Sequence, residues 1–294
     1  MSVRLLDGGT AHTFRERSGA ADEPMWTVRE MLKDPALLRG IHEAYLGAGA
    51  DIITTLTADT TQWRMIRAGL GEAFKTALGV ALGTAEAARD AVKPDALIAG
   101  CLPPLRGRYR PDRPPSIEEI EPEYAELALL MARQVDFFLC GPMASVGEAV
   151  AAARAASSAG KPLWISLAVH DCEKGRLKSG ERLLPALDRL EGIAFDALLL
   201  HASDPSTITR GLWELGPAVD THIGAVADAF VTVGEDWDIT KSADEVVRRH
   251  PLGPGCYAER AAEWIESGAT IIGGADGVSP SHIARLSQLV GSLT

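Results

Sequence analysis

The apolar positions of this chain cluster in short solid runs, at residues 3–6, 51–55, 96–99, 136–139, 163–167, 197–200, 223–227 and 270–272. Aliphatic and β-branched residues dominate them. Runs that are continuous rather than alternating suit strands covered on both faces. Helical segments separate most of them: 34–48 behind Asp34-Pro35, 71–92 rich in alanine, 116–134 from Ser116, 145–158, 257–267, and a last helix from Ser279-Pro280. A side-chain cap followed by proline presets the first helical turn. A further helix is predicted over 242–249, inside an irregular stretch at 234–254. Strands alternating with helices imply parallel pairing through right-handed crossovers. Eight such units in 294 residues predict an α/β fold, a single (β/α)8 TIM barrel spanning residues 1–294. No G-x-G-x-x-G follows a strand, which argues against a dinucleotide-binding fold.

A barrel places its reactive groups where the strands end. Those ends read Asp7, Thr55 to Asp59, Cys101, Gly141, His170, His201, Asp228 and Asp276. After the last strand comes a glycine-rich break. Gly273 and Gly274 are expected there for their backbone freedom, and Asp276 is the only charged side chain in the break. His201, Asp228 and Asp276 follow three neighbouring strands and form the candidate catalytic set. Two carboxylates and an imidazole suit a hard divalent ion, or a histidine base oriented by an aspartate. The plainer alternative is polar residues at a solvated rim.

Candidate substrate contacts are Asp7, Thr55, Cys101, His170, Arg106 and Arg108. The two arginines stand in a proline-rich loop with Arg110 and Arg113, and guanidinium forks suit carboxylate or phosphate. A small anionic substrate is the expectation. The plainer reading pairs these arginines with Asp112, Glu118 and Glu119. Cys101 is either a nucleophile near His170 or His201, or an inert buried thiol. Cys140 is expected to face the helices. Cys172, in a His-Asp-Cys run, reads as polar loop or metal ligand, and His12 is expected to reach the barrel rim.

The formal charge of −11 argues against nucleic acid and anionic membrane as partners. No apolar run has the length of a membrane span, and Met1-Ser2-Val3-Arg4 lacks a signal-peptide profile. Four scattered cysteines without a C-x-x-C pair point to a reducing, cytoplasmic setting.

Several blocks recur in a telling order: Leu6-Asp7-Gly8-Gly9, Pro24-Met25-Trp26, Gly49 through Thr55, Leu102-Pro103-Pro104-Leu105 and Tyr109-Arg110-Pro111-Asp112. They continue with Lys161 through Ser166, Leu177 through Glu181, Gly268 through Gly274 and Ser279 through Ile283. Nearly end to end, the chain resembles the homocysteine S-methyltransferases. That resemblance implies a zinc held by three thiolates, which presents the substrate sulfur as a thiolate. Ala202, Ala275 and Asp276 stand at the three cysteine positions. The resemblance also implies two acids holding the substrate's amino group. Asp7 matches one, and Gly141 stands at the other. Leu56 and Ala58 replace further polar residues of the family.

The expectation is a divergent methyl or related group transferase that lacks the three-cysteine zinc site and has no assigned cofactor, although another divalent metal stays open. The alternatives are metal-assisted or acid/base hydrolase or lyase chemistry at His201, Asp228 and Asp276, and a non-catalytic barrel that binds a ligand or partner. Family members are often oligomeric, so a homo-oligomer is expected. Since Ala202 holds the ligand position, His201 is expected to turn away from the cavity, because neighbouring strand residues face opposite sides.

Overall fold

The strands of the computed structural model, which describes residues 3–20, 23–106, 116–171, 173–229 and 252–293, are all parallel. They are β1 (Arg4–Leu5), β2 (Ile52–Thr54), β3 (Leu97–Leu102), β4 (Phe137–Met143), β5 (Leu163–Ala168), β6 (Ala197–Ala202), β7 (His222–Ala227) and β8 (Ile271–Gly274). They pair in the order β1-β8-β7-β6-β5-β4-β3-β2, and a parallel bridge between Leu6 and Ile52 brings the two ends together. This is the expected (β/α)8 barrel.

The helices are α1 (Thr10–Ser18), α2 (Trp26–Lys33), α3 (Pro35–Gly47), α4 (Gln62–Arg67), α5 (Phe74–Val92), α6 (Ile117–Met131), α7 (Val146–Ser157), α8 (Leu183–Asp188), α9 (Pro205–Leu215), α10 (Pro254–Glu266) and α11 (Pro280–Gly291). The helix expected over 242–249, together with Arg108, Arg110, Arg113 and Cys172, lies outside the described residues.

The predicted caps form. Asp34 accepts from Leu37 N at 3.0 Å, and Ser116 and Glu119 make a capping box. Helix α1 is not legible from periodicity. The buried residues of α1 are two threonines and Phe14, so its contacts rather than an apolar stripe hold it in place.

Strand residues alternate between two apolar clusters. Leu6, Ile52, Ala99, Phe137, Leu139, Trp164, Ala197, Leu199 and Ile271 fill the barrel interior, where the Phe137 and Trp164 rings lie 4.3 Å apart. Leu5, Ile53, Ile98, Phe138, Ile165, Leu198, Leu200 and Ile272 join the helix layer. Cys140 belongs to that outer layer, as expected. Five strands run past their predicted ends, β5 to Ala168 and β8 to Gly274 among them. β3 continues through Cys101 and Leu102, β4 through Gly141 to Met143, and β6 through His201 to Ala202. Paired neighbours supply the backbone partners that local propensity does not.

Because β1 is so short, the β1/β2 seam is closed by two carboxylates. Asp7 N donates to Ile52 O and Asp51 N to Leu5 O. In return, Asp7 Oδ2 accepts from Thr54 N at 2.8 Å and Asp51 Oδ2 from Leu5 N at 3.0 Å. Asp7 also accepts from the hydroxyls of Thr54 and Thr10, and Lys93 Nζ pairs with Asp51 at 2.7 Å.

On the other side of β1, Gly9 N donates to Val278 O, and Tyr45 Oη donates to the same carbonyl at 2.8 Å. The glycines of the β8 break serve this closeness rather than unusual dihedrals. Neither Gly273 nor Gly274 has positive φ. A Cβ at Gly273 would press on Leu6, and one at Gly274 would overlap Val278. The left-handed residue of the break is Gly277, at φ +81°.

Two outcomes follow from this seam. Tyr45→Phe keeps the ring but leaves the buried Val278 carbonyl one donor short. It is expected to cost about 1–3 kcal/mol, read from the denaturant midpoint. The second concerns Asp7. Burial raises its carboxyl from 3.8 to about 7, against hydrogen bonds from Thr54 and Thr10 that lower it. Folding therefore favours the protonated form. This contribution is full below the unfolded value and is lost as pH rises through about 7. Wild-type stability should fall between about pH 4 and about pH 8 by on the order of a few kcal/mol from this group. Asp7→Asn should flatten that slope in urea titrations run across the same range.

Candidate active site

The residues at the C-terminal ends of the strands inherit the alternation below them. In β6 the inner series Ala197, Leu199 leads to His201, while Ala202 joins Leu198 and Leu200 in the outer layer. The expectation that His201 turns away from the cavity is therefore reversed. β6 stays regular to its end, with His201 opposite Val226 and Ala202 opposite Ala227, so the period of two is unbroken.

His201 is buried, and its Nε2 lies 3.8 Å from Asp228 Oδ1. That carboxylate is itself held in place. Asp228 N donates to Ala202 O, and Asp276 N donates to Asp228 Oδ1 at 3.1 Å. Ala229 N donates back to Asp276 O. Of the three residues singled out, His201 and Asp228 meet through their side chains, while Asp276 joins through its peptide. Among the described residues, no group of three His, Cys, Asp or Glu side chains is arranged to hold a metal ion.

On the opposite side, Cys101 continues the inner series Leu97, Ala99, and its Sγ donates to Gly141 O at 3.5 Å. Thr55 is buried and uses its hydroxyl to accept from Cys101 N at 3.0 Å. Thr57 donates to Cys101 O at 2.6 Å. These two hydroxyls prolong the β2/β3 ladder where β2 has ended. Ser166 follows Trp164 on the inner face of β5 and is 4% exposed. Asp7 sits at the seam already described.

The remaining candidates lie elsewhere. His170 Nδ1 accepts from Glu173 N at 2.9 Å. It lines a cavity of about 780 Å³ together with Arg210 and Trp213 of α9 and Glu263 of α10, so this space opens in the helix layer rather than inside the strand ring. Arg106 pairs with Glu123 at 2.8 Å and stacks 4.6 Å from the Trp63 ring. Its partner is thus on α6, one turn beyond the expected Glu118 and Glu119. Just before it, Leu105 N donates to Glu148, whose carboxyl burial pushes up to about 7. His12 lies 3.4 Å from Glu16 along α1.

Sequence reasoning missed one cluster. Asp171 Oδ1 accepts from Ser203 N and Asp204 N, both at 2.9 Å. Its Oδ2 lies 3.3 Å from Lys178 Nζ, which is also 3.3 Å from Ser203 Oγ. The cluster fixes the chain as it leaves His201. Only the block from Leu177 to Glu181 hinted at it.

The comparisons with known proteins agree with this barrel. The profile of the homocysteine S-methyltransferase family matches residues 4–290. Homocysteine S-methyltransferase of Escherichia coli K12 is 25% identical, with 97% of this chain and 94% of that protein covered. Homocysteine S-methyltransferase YbgG of Bacillus subtilis is 22% identical, with 98% and 95% covered. Among solved structures, the metallated form of the Escherichia coli homocysteine methyltransferase MmuM superposes with a TM-score of 0.82 at 22% identity. That superposition covers 98% of this chain and 96% of the other. With the family profile matched along almost its whole length, this chain belongs to the homocysteine S-methyltransferase family.

Proposed function

We propose that this protein is a small-molecule methyl or related group transferase that works without a three-thiolate zinc, using the His201–Asp228 pair to take the acceptor's proton. The observation that carries the reading is the inward His201, its Nε2 3.8 Å from a carboxylate anchored by Asp276 N.

The donor set supports the first half. Ala202 and Ala275 have no ligating atom, and Asp276 offers oxygen where the family has sulfur. Cys140 is fully buried in the outer layer, where burial pushes its thiol far up. Cys101 stands on the far side of the barrel beside Gly141. Among the described residues, the cysteines do not make a three-thiolate site.

The chemistry then needs another way to make a thiol nucleophilic. In the proposed step the acceptor's S–H bond breaks, its pair stays on sulfur and the proton goes to His201. That pair forms the new S–C bond. The donor, a sulfonium or quaternary ammonium compound, loses its C–S or C–N bond and leaves neutral. Asp228 balances the imidazolium charge, and the Asp276 peptide orients Asp228. Cys101 lies on the inner face as a substrate contact. A cytoplasmic setting belongs to the same reading and rests on the scattered cysteines. Among the described residues no helix is long and apolar enough to cross a membrane.

The test supplies full-length protein with thiol acceptors and sulfonium or betaine donors and follows methylated product by mass. Turnover is expected to survive chelator, and His201→Gln is expected to lower kcat by about 10²–10⁴ with little change in KM. Stoichiometric zinc with chelator-sensitive turnover would overturn the proposal.

A further inference from the structure

Resting on the transferase reading above, we propose that Tyr257 is the positioning residue that holds Asp228 within reach of His201, and so sets how readily the imidazole takes a proton. Asp228 is the first residue after β7, and Asp276 follows the end of β8. Tyr257 reaches both strand ends from the first turn of α10. Its hydroxyl lies 2.9 Å from Ala227 O and 2.8 Å from Gly273 O, one carbonyl on each strand, and accepts from Ala227 N at 3.3 Å. Ala227 O also accepts from Ala275 N at 2.8 Å, while Asp228 N donates to Ala202 O. The planar peptide that leads into Asp228 is thus held at both ends, its oxygen by Tyr257 and Ala275 and its N–H by β6. The Asp228 carboxylate is then steadied by Asp276 N at 3.1 Å.

The clasp is rigid. The Tyr257 ring meets Trp264 edge-on at 5.6 Å and His282 edge-on at 5.7 Å, and Trp264 Nε1 is tied to Pro205 O at 3.1 Å. Burial, with the Asp228 charge behind it, pushes the Tyr257 phenol far up, so its hydroxyl stays a donor. In the ladder, His201 stands between Ala168 on β5 and Val226 on β7, both apolar. The charged groups on this side are Asp228, Asp276 and the Lys178–Asp171 pair at Ser203, whose charges offset each other. Asp7 stands at the β1/β2 seam, and Cys101 lies across the barrel. A carboxylate 3.8 Å from the imidazole favours its charged form, and that attraction weakens as the two separate. Removing the Tyr257 hydroxyl changes none of these charges and loosens only the peptide that aims Asp228.

The test follows the NMR titration of the His201 imidazole in the full-length protein, its signal assigned by its loss in His201→Gln. In Tyr257→Phe the midpoint is expected to fall by about half a pH unit or more. Tyr45→Phe is the control. It takes another buried tyrosine donor from a carbonyl, Val278 O, and should leave the midpoint in place. An unchanged midpoint in Tyr257→Phe, or an equal fall in Tyr45→Phe, overturns this inference and leaves the transferase reading standing. Should Tyr257→Phe not fold, Trp264→Phe, which loosens the Tyr257 ring and keeps its hydroxyl, decides by the same criterion. A midpoint that also ignores Asp228→Asn means that the pair itself is uncoupled, and overturns both.

Discussion

A parallel barrel closes only if its first and last strands find every backbone partner, and here the first strand is two residues long. The deficit is met by side chains. Asp7 and Asp51 each accept a backbone N–H from the opposite strand while donating their own to it. Each carboxyl takes the place of a backbone carbonyl that the short strand lacks, so a short seam suffices. The cost falls on Asp7, whose buried carboxyl is pushed toward neutrality. The same residue heads the chain's turn toward Gly8 and Gly9, which pack against the β8 break. Closure of the ring and the shape of its last corner are therefore one structural event.

Register follows from closure. Once the strands are locked, the period of two sends Leu199 and His201 inward and Leu200 and Ala202 outward. It also aligns the β6 end with β7, so that Asp228 N reaches Ala202 O and the carboxylate arrives beside the imidazole. The β8 break adds a peptide N–H to that carboxylate. A histidine and an aspartate separated by 27 positions become neighbours through the hydrogen-bond ladder between two parallel strands. A Lys178–Asp171–Ser203 strut then holds the chain just beyond His201.

The two sides of the barrel mouth differ in kind. The β6–β8 side carries the titratable pair and the chain's polar anchors. The β2–β5 side is a continuation of strand pairing by other means, with Thr55 and Thr57 hydroxyls on the Cys101 backbone and Gly141 pressed against Ser166. On that side backbone takes the space between β4 and β5 at Gly141 and Ser166.

The sequence alone determined the barrel, because eight covered strands and their crossovers are written in local patterns of apolar residues, prolines and caps. It also determined the family, and which residue types stand at the strand ends. It did not determine where those side chains point. An aligned ligand position says nothing about the strand parity that turns His201 inward, which depends on how far β6 remains paired. Gly273 and Gly274 serve close approach rather than conformational freedom, and that involves Leu6 and Val278 at the other end of the contact. Position in the chain puts Arg106 in a basic loop that suits an anionic substrate and His170 among the strand ends. Tertiary structure gave the first to Glu123 and Trp63, and set the second against α9 and α10. Strand ends can be located from one dimension, but which of them share a cavity is decided by pairing register, and register is a property of the closed ring.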